Sequence, residues 1–192
     1  AALSFTTSTY SQTGTQAVAV NYCNYPIEVE TTNSRFEVVG TSSFGDCVEY
    51  GSQTVYVRYN AGGAAGTDSG QLQFKDNTGA VRAEVTLNAT ITKTSQGITD
   101  HNVGLSYLTT DRCIITPTAN SGLTDFTYTA VPEDVAQFDG NVMTFLQSCD
   151  NLTITINQKG NDAYEATSLD VKNIIVSKVT PDITVVPATG AI

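Results

Sequence analysis

Apolar and polar residues alternate along most of this chain, which is the pattern of β-strands that bury one face. The clearest example spans residues 141–167, where two alternating runs lie on either side of Cys149 and lead to a polar turn at Gly160 and Asn161. A second long alternation runs from Val81 to Ile91. Turn residues recur about every ten positions, and no window keeps a helical period. The pattern predicts an all-β protein of the sandwich or barrel kind.

The alternation breaks around Lys93 to Gly97, close to the middle of the 192 residues. Each half then has about the size of an immunoglobulin-like domain, which is roughly 100 residues. We therefore predict two tandem immunoglobulin-like β-sandwich domains, at residues 1–93 and 94–179. Residues 180–192 contain two prolines, so we expect them to form a linker or edge strand directed towards a further module or partner.

The four cysteines fall as one pair in each half, Cys23 with Cys47 and Cys113 with Cys149. Four cysteines permit three pairings, and only the pairing within each half keeps both bonds inside a single core. The sequence thus predicts one disulfide per domain, Cys23–Cys47 and Cys113–Cys149. Such bonds imply an oxidising compartment, so we expect a secreted protein that is extracellular or lies at the cell surface.

The net charge of −10 and the pI near 4.3 limit the partners that this chain can have. The phosphate backbone of nucleic acid and anionic membrane surfaces would both repel it. No apolar run approaches the ~18 residues that span a bilayer. We therefore expect no nucleic-acid partner and no membrane insertion, and instead expect a mature, soluble fragment that contacts protein or surface glycan.

Residues suited to catalysis or metal binding are sparse and scattered in the sequence. His101 is the only histidine and lies in a polar segment, which argues against a Ser-His-Asp arrangement. The cysteine spacings are far wider than those of zinc sites. Two sets of loop carboxylates offer oxygen ligands for calcium if the fold gathers them: Glu133, Asp134 and Asp139, or Asp150 and Asp162. We favour the interpretation that they keep the surface soluble, and we expect no enzyme activity, cofactor or metal.

A glycine-rich stretch and a group of tyrosines are the remaining candidates for binding. Residues 60–70 lack the Gly-Lys-Ser/Thr ending of a phosphate-binding loop, so a flexible hairpin is expected. Five tyrosines cluster in the first half, and they more often line a sandwich core or its rim than a carbohydrate platform: Tyr10, Tyr22, Tyr25, Tyr50 and Tyr59.

An ordered set of short motifs in the second half suggests a family. They are Thr94-Ser-Gln, Thr118-Ala-Asn-Ser-Gly-Leu, Phe126-Thr-Tyr, Val135-Ala, Asp139-Gly-Asn and Thr153-Ile-Thr-Ile-Asn-Gln-Lys-Gly-Asn-Asp-Ala-Tyr. Together they resemble the bacterial Ig-like repeats of secreted or surface-attached proteins. The first half is similar, more loosely, to another secreted Ig-like module through Val55-Tyr-Val-Arg-Tyr and Ser69-Gly-Gln-Leu-Gln-Phe. Both halves depart from these patterns in carrying cysteine pairs. The resemblance implies presentation and adhesion, with no catalytic residues.

These observations predict a non-catalytic, extracellular structural or adhesive module pair of a larger surface or secreted assembly. One alternative is a discrete module that binds glycan or protein through the glycine-rich stretch and nearby tyrosines. Another is an Ig-like decoration protein of a viral particle. Ile183, Val185 and Val186 are too apolar for a solvated tail, so we expect them to pack on a following module or another copy, by strand addition at a sheet edge.

Overall fold

The computed structural model describes residues 1–22, 25–45, 50–181 and 183–184, and these residues form seventeen β-strands and no helix. The prediction of an all-β protein is therefore confirmed. The chain divides into two compact units. Unit 1 comprises Ala1–Ser95 together with Gly160–Glu165, and unit 2 comprises Gln96–Lys159 together with Ala166–Ile192. The sequence did not predict that Gly160–Glu165 belongs with the first unit. None of the described segments forms an apolar helix of membrane-spanning length.

Unit 1 is built from eight strands, and alternation of apolar residues sets which face of each strand is buried. The strands are β1 (Ala2–Ser8), β2 (Gln16–Tyr22), β3 (Ile27–Thr31), β4 (Phe36–Val39), β5 (Ser43–Phe44), β6 (Gly51–Tyr59), β7 (Gly66–Lys75) and β8 (Val81–Thr92). One sheet has the order β1-β8-β7-β3-β5 and the other the order β2-β6-β4. Strand β1 runs parallel to β8, whereas the other pairs are antiparallel. Two such sheets with a shared core form an Ig-like β-sandwich.

The core of unit 1 centres on aromatic and aliphatic side chains from both sheets. Phe36 and Tyr59 are almost completely buried, and their ring centroids lie 4.7 Å apart. Leu72 and Leu87 face them from the neighbouring sheet and have no exposed surface. Full burial of one such side chain contributes roughly 1.5–3 kcal/mol to folding. This core fixes the positions of the loops and edges around it.

Unit 2 contains the remaining strands, which are shorter on average. They are β9 (Ile98–Asp100), β10 (Ser106–Leu108), β11 (Arg112–Ile114), β12 (Thr118–Ala119), β13 (Phe126–Val131), β14 (Ala136–Asp139), β15 (Val142–Phe145), β16 (Cys149–Gln158) and β17 (Thr167–Ser177). The sheet orders are β10-β17-β16-β13, β11-β15-β14 and β12-β9. The alternation in residues 141–167 correctly indicated β15 and β16. Their inward side chains Met143, Leu152, Ile154 and Ile156 are completely buried.

The predicted disulfides are not present among the described residues. Cys113 and Cys149 are both free thiols, the first buried and the second half-buried. The hydroxyl of Tyr107 donates a hydrogen bond to Cys113 Sγ at 3.4 Å, which gives this thiol a polar partner in the core. Cys23 and Cys47 lie outside the described residues. Both pairings therefore stay predictions, which peptide mapping under non-reducing conditions would decide.

Candidate ligand-binding site

His101 has a local structural role in unit 2. Its Nδ1 accepts a hydrogen bond from the backbone N–H of Val103 at 3.3 Å, and the backbone N–H of His101 donates to Asp100 Oδ1 at 2.8 Å. The imidazole thus organises the loop that follows β9. The imidazole therefore bonds to the backbone of its own loop and not to a serine or cysteine side chain.

The loop carboxylates proposed for calcium do not converge. Asp134 accepts a hydrogen bond from the Gln147 amide at 2.6 Å. Within the described ranges, no three or more His, Cys, Asp or Glu side chains come close enough to hold a metal ion. A hard cation needs several oxygen ligands at one point, so neither predicted set forms a centre here.

Among the residues that the structure describes, three carboxyl groups have clearly shifted pKa values, and each of these shifts is downward. Hydrogen bonds from Arg58 and then Asn60 lower the pKa of Glu37, while the hydroxyl of Thr155 lowers that of Asp170. The third is Asp76, a buried residue of unit 1. A carboxyl group with a lowered pKa stays ionised at neutral pH, and a general acid requires the opposite shift.

Asp76 organises the hairpin that joins β7 to β8. Its Oδ1 accepts hydrogen bonds from the Thr78 hydroxyl at 2.6 Å, the Thr78 N–H at 2.8 Å and the Ala80 N–H at 3.1 Å. Its Oδ2 accepts from Arg82 Nε at 2.6 Å. The Thr78 hydroxyl has the largest effect, and together these donors hold the pKa of Asp76 well below its usual range. The carboxylate in turn fixes the guanidinium of Arg82.

The glycine-rich stretch is more ordered than the sequence predicts, because its second part, from Gly66, is already in strand β7. The glycines before it allow close packing. A Cβ at Gly62 would lie 2.7 Å from Arg35 Nη2, and a Cβ at Gly63 would overlap the Tyr10 hydroxyl. These two glycines therefore make room for neighbouring side chains, a role that differs from holding phosphate.

A polar network lies beside this stretch and is already satisfied. Asp68 accepts hydrogen bonds from the Asn33 amide at 2.8 Å and the Tyr59 hydroxyl at 3.0 Å, and Arg35 Nη1 lies 3.9 Å from it. A cavity of about 410 Å³ adjoins the network. No aromatic side chain of the described residues lines this cavity, so it offers less apolar contact surface to a ligand than the cavity described next.

The five tyrosines singled out in the sequence have separate positions. Tyr59 is fully buried in the core, as expected for a structural residue, whereas Tyr10 and Tyr50 are 67% and 89% exposed. Tyr22 and Tyr25 line one cavity together. This cavity was not predicted, because most of its other residues come from distant parts of the chain.

We call this cavity the tyrosine slot. It has a volume of about 400 Å³ and is lined by Val20, Asn21, Tyr22, Tyr25, Ile27, Phe74, Asp76, Arg82 and Ala83. The buried side chains of Ile27 and Phe74 give it an apolar floor, and Tyr25 is 49% exposed. Asn21 and the Asp76–Arg82 pair add polar groups. The slot thus combines aromatic surface with hydrogen-bonding groups in one concave site.

Packing holds Tyr22 in place within the slot. The ring centroids of Tyr22 and Phe44 lie 5.1 Å apart, and the angle between the two ring planes is 54°. Gly45 has a φ of +91°, and a Cβ there would lie 2.8 Å from the Tyr22 ring. A Cβ at Gly51 would overlap the same ring. Both glycines are therefore required for the position of Tyr22.

The predicted interaction segment is described only in part. Ile183 is 78% exposed, and Val179 before it is 45% exposed. Val185 and Val186 lie outside the described residues. The expectation that this segment packs on a following module or another copy therefore stays a prediction.

Comparisons with known proteins give limited information. No family model matches the chain, and no curated protein matches it. A structure of tandem Ig repeats of Dlar aligns at 8% identity and a TM-score of 0.28, over 91% of this chain and 92% of the other. A SusE-like, surface-located polysaccharide-binding protein from the Bacteroides thetaiotaomicron heparin utilisation locus aligns at 12% identity and a TM-score of 0.32, over 91% of this chain and 33% of its own. We draw no conclusion from similarity at this level.

Proposed function

We propose that this chain is a non-catalytic binding module pair of an extracellular structural or adhesive assembly, and that the tyrosine slot is its ligand site. The observation that carries the proposal is the joint presence of two tyrosines and a fixed Asp76–Arg82 pair in one cavity. The family resemblance to Ig-like repeats of surface proteins supports the adhesive role.

The dimensions of the slot suit a ligand. Sites for small molecules or single side chains usually have volumes of roughly 300–1,000 Å³, an apolar lining and a few polar groups. The slot has about 400 Å³, with Phe74 and Ile27 as apolar floor and Asn21 as a polar group. A sugar ring or a side chain of a protein partner would fit this combination, because tyrosine offers both a flat apolar ring and a hydroxyl.

The polar part of the slot is preorganised. Asp76 Oδ2 fixes the guanidinium of Arg82 by accepting a hydrogen bond from Nε at 2.6 Å and by an ion pair with Nη2 at 2.5 Å. The Arg82 side chain is nonetheless 59% exposed, so part of the guanidinium faces solvent. A ligand therefore meets a donor whose orientation is already set, which lowers the entropy cost of binding.

The absence of catalysis is part of the same proposal. The shifted carboxyl groups are all more acidic than usual, and His101 is engaged in its own loop. An acid or base catalyst would require a pKa near the working pH. The extracellular location rests on the resemblance to Ig-like repeats of surface proteins, since Cys113 and Cys149 are free thiols and supply no disulfide argument.

Binding measurements on arrays of glycans and of peptides test the proposal. We expect Tyr25→Ala and Ala83→Arg to weaken binding of the array ligand about tenfold or more, because they remove an aromatic contact and fill the cavity. Tyr56→Ala is the matched control, since Tyr56 is 46% exposed and does not line the slot. Equal binding by all three variants and the unmodified chain would refute the assignment of the slot.

A further inference from the structure

Tyr10 has a backbone conformation that a tyrosine normally avoids. It follows β1 in a turn that the Ser11 N–H closes by donating to the Ser8 carbonyl oxygen at 3.2 Å. At the third position of this turn Tyr10 has a φ of +60°, in the left-handed region where glycine is the usual residue. The side chain is also 67% exposed, so burial offsets only part of the strain. Strained residues concentrate at functional sites, which makes Tyr10 a candidate for binding.

The neighbouring loops hold the ring of Tyr10 in place although it is exposed. The Tyr10 N–H donates a hydrogen bond to the Gly62 carbonyl oxygen at 3.0 Å. The hydroxyl end of the ring lies so close to Gly63 that a Cβ there would overlap it. The ring centroids of Tyr10 and Tyr164 are 6.4 Å apart, and the angle between the two ring planes is 38°. Because these contacts already order the side chain, a ligand that binds to it meets a low entropy cost.

Tyr164 is held by its own backbone. It lies in the loop Gly160–Glu165, which belongs to unit 1. The Oδ1 of Asn161 accepts hydrogen bonds from the N–H groups of Ala163 and Tyr164, both at 2.9 Å. The Thr9 hydroxyl donates to the Ala163 carbonyl oxygen at 2.6 Å and so joins this loop to the turn after β1. The backbone therefore sets the relative position of the two tyrosine rings.

We call Tyr10 and Tyr164 the aromatic platform. A group inserted between two rings needs a contact of about 3.5 Å with each, or about 7 Å between the rings. The centroid separation of 6.4 Å is shorter than this. Aromatic cages bind cations by surrounding them with ring faces, and this pair leaves no such space. A ligand must therefore lie across the outer surface of the platform, which favours a flat apolar face.

The polar side chains next to Tyr10 in the turn are uncharged. The Oγ atoms of Ser8 and Ser11 lie 3.0 Å apart, and the side-chain amides of Gln12 and Asn60 are hydrogen-bonded to each other. Hydroxyl and amide groups both donate and accept hydrogen bonds, as the hydroxyl groups of a sugar do. A pyranose ring also has a face of C–H groups that can lie on a tyrosine ring. The net charge of −10 disfavours an anionic polysaccharide.

We propose that the aromatic platform is a second ligand site of unit 1 and binds sugar rings of an uncharged polysaccharide. Arg82 lines the tyrosine slot near the start of β8, whereas the N–H of Thr9, beside Tyr10, donates to the carbonyl oxygen of Thr92 at its end. Ten positions of an extended strand span about 33 Å. The platform is therefore separate from the slot, and this inference does not depend on the function proposed for the slot. An open surface for one ring binds weakly, so a polymer that offers many rings is the ligand it suits.

Affinity electrophoresis of the full chain in native gels tests the inference. The uncharged probes are dextran, mannan, xylan and galactan, and the anionic probe is polygalacturonate. At least one uncharged polysaccharide should retard the unmodified chain. Tyr10→Asn removes the ring but tolerates the positive φ, and it should weaken this binding about tenfold or more. Tyr10→Phe keeps the ring and should retain binding. Tyr56→Ala, at a 46% exposed tyrosine of β6, is the matched control and should bind as the unmodified chain does.

Urea unfolding provides a readout that separates binding from a structural role. Relief of the strained φ should leave the midpoint of Tyr10→Asn equal to or above that of the unmodified chain. A lower midpoint would show that the tyrosine is retained for packing and would overturn the inference.

Three binding results would also overturn it. They are retardation by no uncharged polysaccharide, equal retardation of Tyr10→Asn and the unmodified chain, and preferential binding of the cation choline, which the exposed Asp162 beside Tyr164 would attract. The slot is tested separately by Tyr25→Ala. If Tyr25→Ala abolishes retardation and Tyr10→Asn does not, the platform fails while the slot remains a binding site. Retardation that still depends on Tyr10 in the Tyr25→Ala chain supports two independent sites.

Discussion

At the scale of single residues, Asp76 shows how a buried carboxylate stabilises a turn. Hydrogen bonds from Thr78, Ala80 and Arg82 stabilise its ionised form in the folded state. Its folded pKa is therefore lower than its pKa in the unfolded chain, which is about 3.9. By linkage, the stabilisation is fully present above the unfolded pKa and is lost as the pH falls towards the folded pKa.

We expect Asp76→Asn to lower the free energy of unfolding at pH 7, because an amide cannot accept all of these hydrogen bonds. The difference from the unmodified chain should shrink as the pH falls below about 4. Urea denaturation of both proteins at a series of pH values measures this difference in the free energy of unfolding. Asp150→Asn, at an exposed carboxylate, is the control. A difference that stays constant between pH 7 and pH 2 would contradict the shifted pKa.

At the scale of elements, turns with a left-handed backbone decide how strands of unit 1 are joined and packed. Gly160 has a φ of +71°, and a Cβ there would overlap the carbonyl oxygen of Tyr164. Gly79 has a φ of +80° but open space around it, whereas Gly14 has neither constraint. Comparison of the three glycines therefore distinguishes the effect of steric overlap, present at Gly160, from the effect of a left-handed backbone alone, present at Gly79.

A series of alanine substitutions tests this ranking. Gly160→Ala should destabilise unit 1 most, Gly79→Ala should cost about 1–2 kcal/mol from the left-handed conformation alone, and Gly14→Ala should be near neutral. Chemical denaturation gives the three free energies of unfolding. If Gly160→Ala costs no more than Gly79→Ala, the packing of Tyr164 against this glycine is not a constraint.

The strands themselves were the part of the fold that the sequence indicated best. Alternation located β8, β15 and β16 because each has one buried and one solvated face. The glycine-rich stretch was wrongly expected to be a flexible hairpin throughout. Its second part pairs with β8 from Gly66 onwards. This pairing is made by backbone hydrogen bonds, which the alternation of apolar and polar side chains does not reveal.

At the scale of the whole molecule, the net charge of −10 opposes assembly of identical copies. Repulsion between whole chains acts over the Debye length, which falls from ~30 Å at 0.01 M salt to ~8 Å at 0.15 M. We therefore expect any self-association of the chain to become stronger between about 0.01 and 0.15 M sodium chloride.

Sedimentation velocity of the full chain at several salt concentrations measures this dependence. Weaker association at higher salt would show that attraction between opposite charges outweighs the repulsion between the chains. No dependence at all would mean that neither charge effect limits association.

The sequence by itself determined the all-β class, the two alternating stretches of core strands in unit 2 and the acidic surface, because each depends on local order along the chain. It could not locate the tyrosine slot, whose residues Val20, Tyr25 and Arg82 come from three separate elements. It also assigned Gly160–Glu165 to the second half, although these residues belong to unit 1. Only tertiary packing decides such groupings, because burial and hydrogen bonding act between residues that are distant in the chain but adjacent in space.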